Sequence, residues 1–155
     1  MVDLQTDTMF LVPAVQFARL LLQASDRTDV FLYLFDHYPK LRDPSSPFKG
    51  TNHALEMVYL LDKSPIFVSS GMLDYTAIDE PSEEPVFDVF AGALSTFAKT
   101  GDPSRVRPNG QTVSWPRYDR EQEYYLAIAG DPQTRTRLAA KRVALWTEFL
   151  PTMKK

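Results

Sequence analysis

At 155 residues with 44% apolar content, the chain is long enough for one globular domain and would bury roughly 70% of its unfolded surface. The 17 lysines and arginines are scattered among 20 acidic residues, for a net charge of −3, so no basic stripe tracks a phosphate backbone and nucleic acid is not an expected partner. No apolar run approaches the ~20 residues of a membrane span, no charged leader opens the chain at Met1 to Leu4, and the absence of cysteine rules out a disulfide scaffold. There is no Asn-x-Ser/Thr acceptor site either, and neither this absence nor that of cysteine argues against secretion.

In chain order, Asp7 to Ala24 predicts a helix with Phe10, Ala14, Phe17 and Leu21 on one face and Leu11, Val15, Ala18 and Leu22 beside it. Asp7 or Thr8 suits the N-cap, and Pro13 falls near enough to the start to kink the first turn without ending the helix. After the polar turn Ser25 to Thr28, the run Val30-Phe31-Leu32-Tyr33-Leu34-Phe35 reads as a strand buried on both faces. A long loop follows, marked by Pro39, Asp43, Pro44, Ser45, Ser46 and Pro47, and His53 stands at its end.

Ala54 to Leu61 predicts a short helix, and Pro65 to Pro85 an irregular acidic connection. Ser82-Glu83-Glu84-Pro85 has the character of a helix start, since acidic side chains suit a first turn and proline is tolerated there. Phe87, Phe90, Leu94 and Phe97 continue at helical spacing until Gly101 and Pro103 stop it. Arg105 to Gly110 is rich in turn residues, and Tyr124 to Ile128 is strand-like. Thr134 to Leu150 predicts an amphipathic terminal helix with Ala139, Val143, Trp146 and Leu150 on one face. Neither an internal repeat nor a domain boundary is visible, so residues 1–155 are read as one piece.

Histidine is the side chain best suited to move a proton near neutral pH, but it serves covalent chemistry only beside a nucleophile and an orienting carboxylate. The chain has no cysteine and no Gly-x-Ser-x-Gly elbow. Two histidines, His37 and His53, with dispersed carboxylates do not supply the three or four converging ligands of a zinc site, so no metal or cofactor is expected. Taken alone, each histidine reads as a surface or hydrogen-bonding residue. The succession of helix, buried strand, loop, histidine and short helix shifts that reading for His53, because nucleophile-elbow hydrolases present their base in this order.

The chain also resembles the C-terminal part of a type-B carboxylesterase, the group of carboxylesterases, cholinesterases and neuroligin-type adhesion proteins. The resemblance rests on Asp7 with Val12-Pro13-Ala14-Val15, Tyr33-Leu34-Phe35-Asp36-His37, Gly50-Thr51-Asn52-His53-Ala54-Leu55-Glu56, Phe97-Ala98-Lys99-Thr100-Gly101-Asp102-Pro103, Trp115-Pro116-Arg117-Tyr118 and Trp146-Thr147-Glu148-Phe149-Leu150-Pro151. It implies an α/β class: a C-terminal piece of the α/β-hydrolase fold, mostly helices with one or two strands of the parent sheet. It implies that His53 is the triad base and that Glu56 is an acidic residue shaping the field near the site. It implies a carboxylic ester substrate for the complete protein, a parent that is secreted or anchored outside the cell, and a terminal helix able to pair with a second copy.

Departures from the family pattern are specific. Ala54 replaces the glycine after the histidine, Val12 and Val143 stand where cholinesterases carry cysteines, and Leu94 replaces a common tryptophan. The family's nucleophilic serine, oxyanion-hole glycines and triad carboxylate lie upstream of the matched part. The resemblance therefore implies that the chain is inactive alone and, with sheet edges uncovered, a poor independent folder. The alternative reading is a neuroligin-like adhesion ectodomain with a protein partner, in which the fold persists as a binding surface.

Overall fold

Pro13 decides the shape of the first helix. A proline inside an α-helix lacks an N–H and crowds the carbonyl four residues back, and a π turn, with its wider loop, relieves both. In the computed structural model, which describes residues 2–25, 27–39, 50–51, 53–61 and 81–153, helix α1 (Val2–Thr6) runs through a π turn (Asp7–Leu11) into α2 (Val12–Ala24). The last helix repeats the device: α5 (Ala140–Ala144), a π turn (Leu145–Phe149) and α6 (Leu150–Thr152), with Pro151 just beyond the wide turn. The expected N-cap at Asp7 or Thr8 is thus corrected. Asp7 lies within a helix, 5% exposed, and Arg142 Nε stands 3.3 Å from its Oδ1.

The other helices are α3 (Glu56–Leu61) and α4 (Glu84–Thr100), the latter entered through a 3-10 turn at Pro81–Glu83. Strands β1 (Leu32–Phe35), β4 (Tyr124–Ile128) and β5 (Gln133–Thr136) form one sheet in the order β1-β4-β5, and β2 (Arg105–Val106) pairs antiparallel with β3 (Thr112–Val113). Strand β4 matches its predicted bounds, and Tyr125 to Ile128 are all buried, as expected for the central strand. Strand β1 is shorter than its apolar run. Phe35 is buried, but Tyr33 keeps 37% of its surface and Leu32 and Leu34 are half-buried, so burial on both faces is not what this strand has.

The terminal helix also starts later than its sequence suggests. Gln133–Thr136 is an exposed strand, where alternating threonines favour the pleat, and left-handed backbone at Arg137 (φ 55°) and Ala139 (φ 47°) blocks helix until Ala140. The predicted loop over 40–49, Asn52, and the connection over 62–80 lie outside the described residues.

The chain divides into two compact units. One comprises Met1–Leu32, Pro116–Tyr125 and Thr134–Lys155. Its helix buries Leu11, Val12, Val15 and Ala18, so the row that sequence placed beside Phe10 and Phe17 is the one facing inward, and those two phenylalanines stay 41% and 61% exposed. Ala18, Val30 and Tyr118 form a core with Leu21, Leu22 and Leu32 against it. Glu123 ties this core down: its Oε1 accepts from Arg19 Nε at 2.7 Å and from the Tyr118 hydroxyl at 2.9 Å. Burial, reinforced by that bond, pushes the Tyr118 hydroxyl up to about 12. Val12 and Val143 are both buried, and helices α2 and α5 pack together.

The other unit, Tyr33–Trp115 and Leu126–Gln133, is organised by α4. Its buried stripe is Val86, Val89, Phe90 and Ala93, one position off the predicted aromatic row, and Phe97 is 41% exposed. Gly101 closes the helix at φ 78°, its N–H donating to Phe97 O at 2.8 Å. The β2–β3 hairpin is fastened by Asp88, whose carboxylate accepts from Arg105 Nη1 at 2.7 Å and Arg107 Nε at 2.8 Å. Gly92 makes this approach possible, since a Cβ there would collide with the Arg105 guanidinium.

Candidate functional site

The sequence-predicted site residues His53 and Glu56 both lie in the second unit, on the turn and first residue that introduce α3. His53 is exposed. The chain reverses at the next residue: Ala54 has φ 66°, a left-handed conformation that glycine adopts without strain. Met57 N–H donates to Ala54 O and Val58 N–H to Leu55 O, each at 3.2 Å, and Leu55 is buried, so a tight hydrogen-bonded turn with a buried foot presents the imidazole. Glu56 is half-buried, and its charge, after burial, is the second cause holding the Tyr33 phenol above its ordinary range.

His37 is placed quite differently. Its Nε2 lies 2.5 Å from Glu83 Oε2, and the Tyr59 hydroxyl donates to the same oxygen at 2.8 Å. Glu83 is 1% exposed and the His37 side chain 13%, so this is an interior carboxylate held by two side chains from different segments. Aromatic rings wall it in: the His37 and Tyr59 rings meet edge-on at 5.8 Å, Phe35 lies 5.2 Å from Tyr59, and Phe87 lies 4.7 Å from it. Burial, helped by the bond to Glu83, lifts the Tyr59 hydroxyl well above the ordinary phenol range, so it remains a donor at any physiological pH.

Two connections link this interior cluster to the exposed turn. Thr51 Oγ1 donates to the backbone carbonyl of His37 at 3.0 Å, two residues before His53. Tyr59 sits on α3, six residues after it. The sequence offers His37 as a surface or hydrogen-bonding residue at the end of one resemblance block, and Glu83 only as part of a helix start. Nothing local separates Glu83 from Glu84, yet the first is buried and the second exposed. The usable signal is longer in range: a histidine two residues past a strand and a tyrosine on the next helix, both able to donate to one acid.

The carboxylesterase family model matches residues 1–146. The chain belongs to the carboxylesterase family. Mouse (Mus musculus) carboxylesterase 3B is 29% identical over 151 residues, covering 96% of this chain and 25% of that protein. Human (Homo sapiens) neuroligin-2 is 25% identical over 158 residues, covering 94% and 18%. Among solved structures, a PNB esterase superposes with a TM-score of 0.69 at 23% identity, over 91% of this chain and 26% of that one. This carboxylesterase-family chain therefore has the build of a piece of the α/β-hydrolase fold, mostly helical as expected, with β5 as a further strand of its sheet. It spans about a quarter of the length of the curated carboxylesterases it matches.

Proposed function

We propose that the chain supplies the histidine base of a carboxylic ester hydrolase, with His53 taking the proton from a serine contributed by the upstream part of the complete protein and returning it to the leaving alcohol. The reading is carried by one observation: an exposed imidazole on a tight turn, with Thr51 on one flank bonded to the His37 backbone carbonyl and Tyr59 on the other bonded to the buried Glu83 carboxylate. A base must be accessible to substrate and held in orientation, and the exposure of His53 on a hydrogen-bonded turn supports this reading. Glu56, half-buried at the start of α3, is the acidic residue that would shape the field near the site. The resemblance and the identity to carboxylesterases over nearly the whole chain support the same assignment. The substrate class is a carboxylic ester, handled through an acyl-enzyme, in a protein that works outside the cell.

The test is hydrolysis of a short-chain aryl ester by the complete protein. Phenol release that is abolished by His53→Ala supports the assignment, and release untouched by that change removes His53 from the mechanism. A second reading follows from the match to neuroligin-2 over 94% of the chain. In it, the fold serves as an adhesion surface and the terminal helix pairs with a second copy. An upstream region without a Gly-x-Ser-x-Gly elbow, in a protein that releases no phenol, would favour that reading.

A further inference from the structure

The buried Glu83 cluster supplies no reacting group to the proposed esterase chemistry, yet it touches both ends of the segment that carries the proposed base. Glu83 Oε2 is reached by the Tyr59 hydroxyl from α3, downstream of His53. The same oxygen is reached by Nε2 of His37, whose backbone carbonyl takes the Thr51 hydroxyl upstream of it. One carboxylate oxygen, 1% exposed at the mouth of a 17-residue helix, is thus the common anchor for two arms that bracket the His53 turn.

The arrangement is costly unless it is satisfied. A carboxylate removed from water needs donors on its lone pairs, and among the described residues they come from His37 and Tyr59, packed edge-on against each other, with His37 edge-on to Phe35 and Tyr59 tilted against Phe87. Hydrophobic contact alone would bury Tyr59 and Phe87 but would tolerate sliding of α3 along α4. A shared acceptor does not, because moving α3 by an ångström breaks the Tyr59 bond and leaves part of a buried charge unpaired.

We propose that Glu83, with His37 and Tyr59, is the positioning device of the His53 turn: it fixes the imidazole of the proposed base without contacting substrate. The inference rests on the esterase reading of His53. Displacing a catalytic base by about an ångström costs up to 10²-fold, and loss of a group that orients an active residue costs about 10-fold or more.

The experiment compares Glu83→Gln and Tyr59→Phe in the complete protein, with kcat and KM for a short-chain aryl ester and the thermal midpoint measured for each. Tyr59→Phe keeps the ring and removes only the hydroxyl, so it reports even where the glutamine variant fails to fold. Val89→Ala, a cavity in the same helix away from the cluster, serves as the stability control. The expected result is a kcat lowered about tenfold by Tyr59→Phe with KM within about twofold, while Val89→Ala lowers the midpoint at least as much and leaves kcat unchanged. Equal kcat in Tyr59→Phe and the parent overturns the inference, as does a loss that merely follows the midpoint across all variants. Failure of the underlying reading looks different: activity then survives His53→Ala itself.

Discussion

The two histidines of this chain have the same side chain and opposite fates. His37 is half-buried, bonded to a buried acid and packed against aromatic rings; His53 is exposed on a turn. What separates them is the fold's use of each position. A half-buried imidazole bonded to a buried acid has its orientation settled and its solvent access reduced, which suits a structural anchor. An exposed one on a pinned turn keeps access and acquires orientation from its neighbours, which suits a base. Identity of the residue predicts neither role.

The largest effect that can break this contrast is on turnover. In the complete protein, His53→Ala is expected to lower kcat by on the order of 10⁴ to 10⁶, the range for losing the base of a serine triad. His37→Ala should cut kcat far less and should instead cost stability, about 1–3 kcal/mol in a urea titration, because the buried Glu83 loses one of the two donors it has among the described residues. His53→Ala should move the same titration by less than about 0.5 kcal/mol, as surface substitutions do. The reverse pattern, with His37 governing rate and His53 governing stability, would invert the two roles.

How much of this could be read beforehand follows from range. The helix at Glu84–Thr100 and the strand at Tyr124–Ile128 were legible because their signals are local: an acidic proline-bearing start, a glycine stop, a short apolar run between turns. His53 was legible through the blocks around it, although its role as a base remains a proposal. The extension of α1 back to Val2 was hidden because a π turn shifts the helical phase and made Asp7 look like a cap. The strand at Gln133–Thr136 was hidden because its arginines and threonines fit a polar helix face as well as an edge strand. Glu83 was hidden because burial is decided by partners from two other segments, and no local pattern encodes them.

A second anchored carboxylate sharpens the contrast at a smaller scale. Burial alone would raise Asp88, but hydrogen bonds from Arg107 and Arg105 outweigh it and hold the carboxyl below its ordinary range. A group depressed in the folded state stabilises above its unfolded value and loses that contribution as pH falls through the folded one. Asp88→Asn should therefore cost about 1 kcal/mol near neutral pH, with the variant and the parent converging below about pH 4 in urea titrations run as a pH series. A gap that persists unchanged into acid would mean that the pair with Arg105 and Arg107 is not what Asp88 contributes.

The smallest expected effect lies next to the exposed histidine. Ala54 holds φ 66°, where an L side chain brings its Cβ close to the following carbonyl at a cost of roughly 1–2 kcal/mol. Glycine removes that strain but adds freedom to the unfolded chain, offsetting roughly 0.4–1 kcal/mol of the gain. Ala54→Gly should therefore stabilise by roughly 0 to 1.6 kcal/mol, and the urea midpoint should stay level or rise slightly. Its effect on rate discriminates more sharply than its effect on stability. If the turn is held by Glu83 through Tyr59 and Thr51, a freer residue at 54 leaves the imidazole in place and kcat stays within about twofold. If Ala54 itself holds the turn by limiting its backbone, the same substitution lowers kcat while raising stability, and the anchoring would have to be reassigned from the buried cluster to the turn.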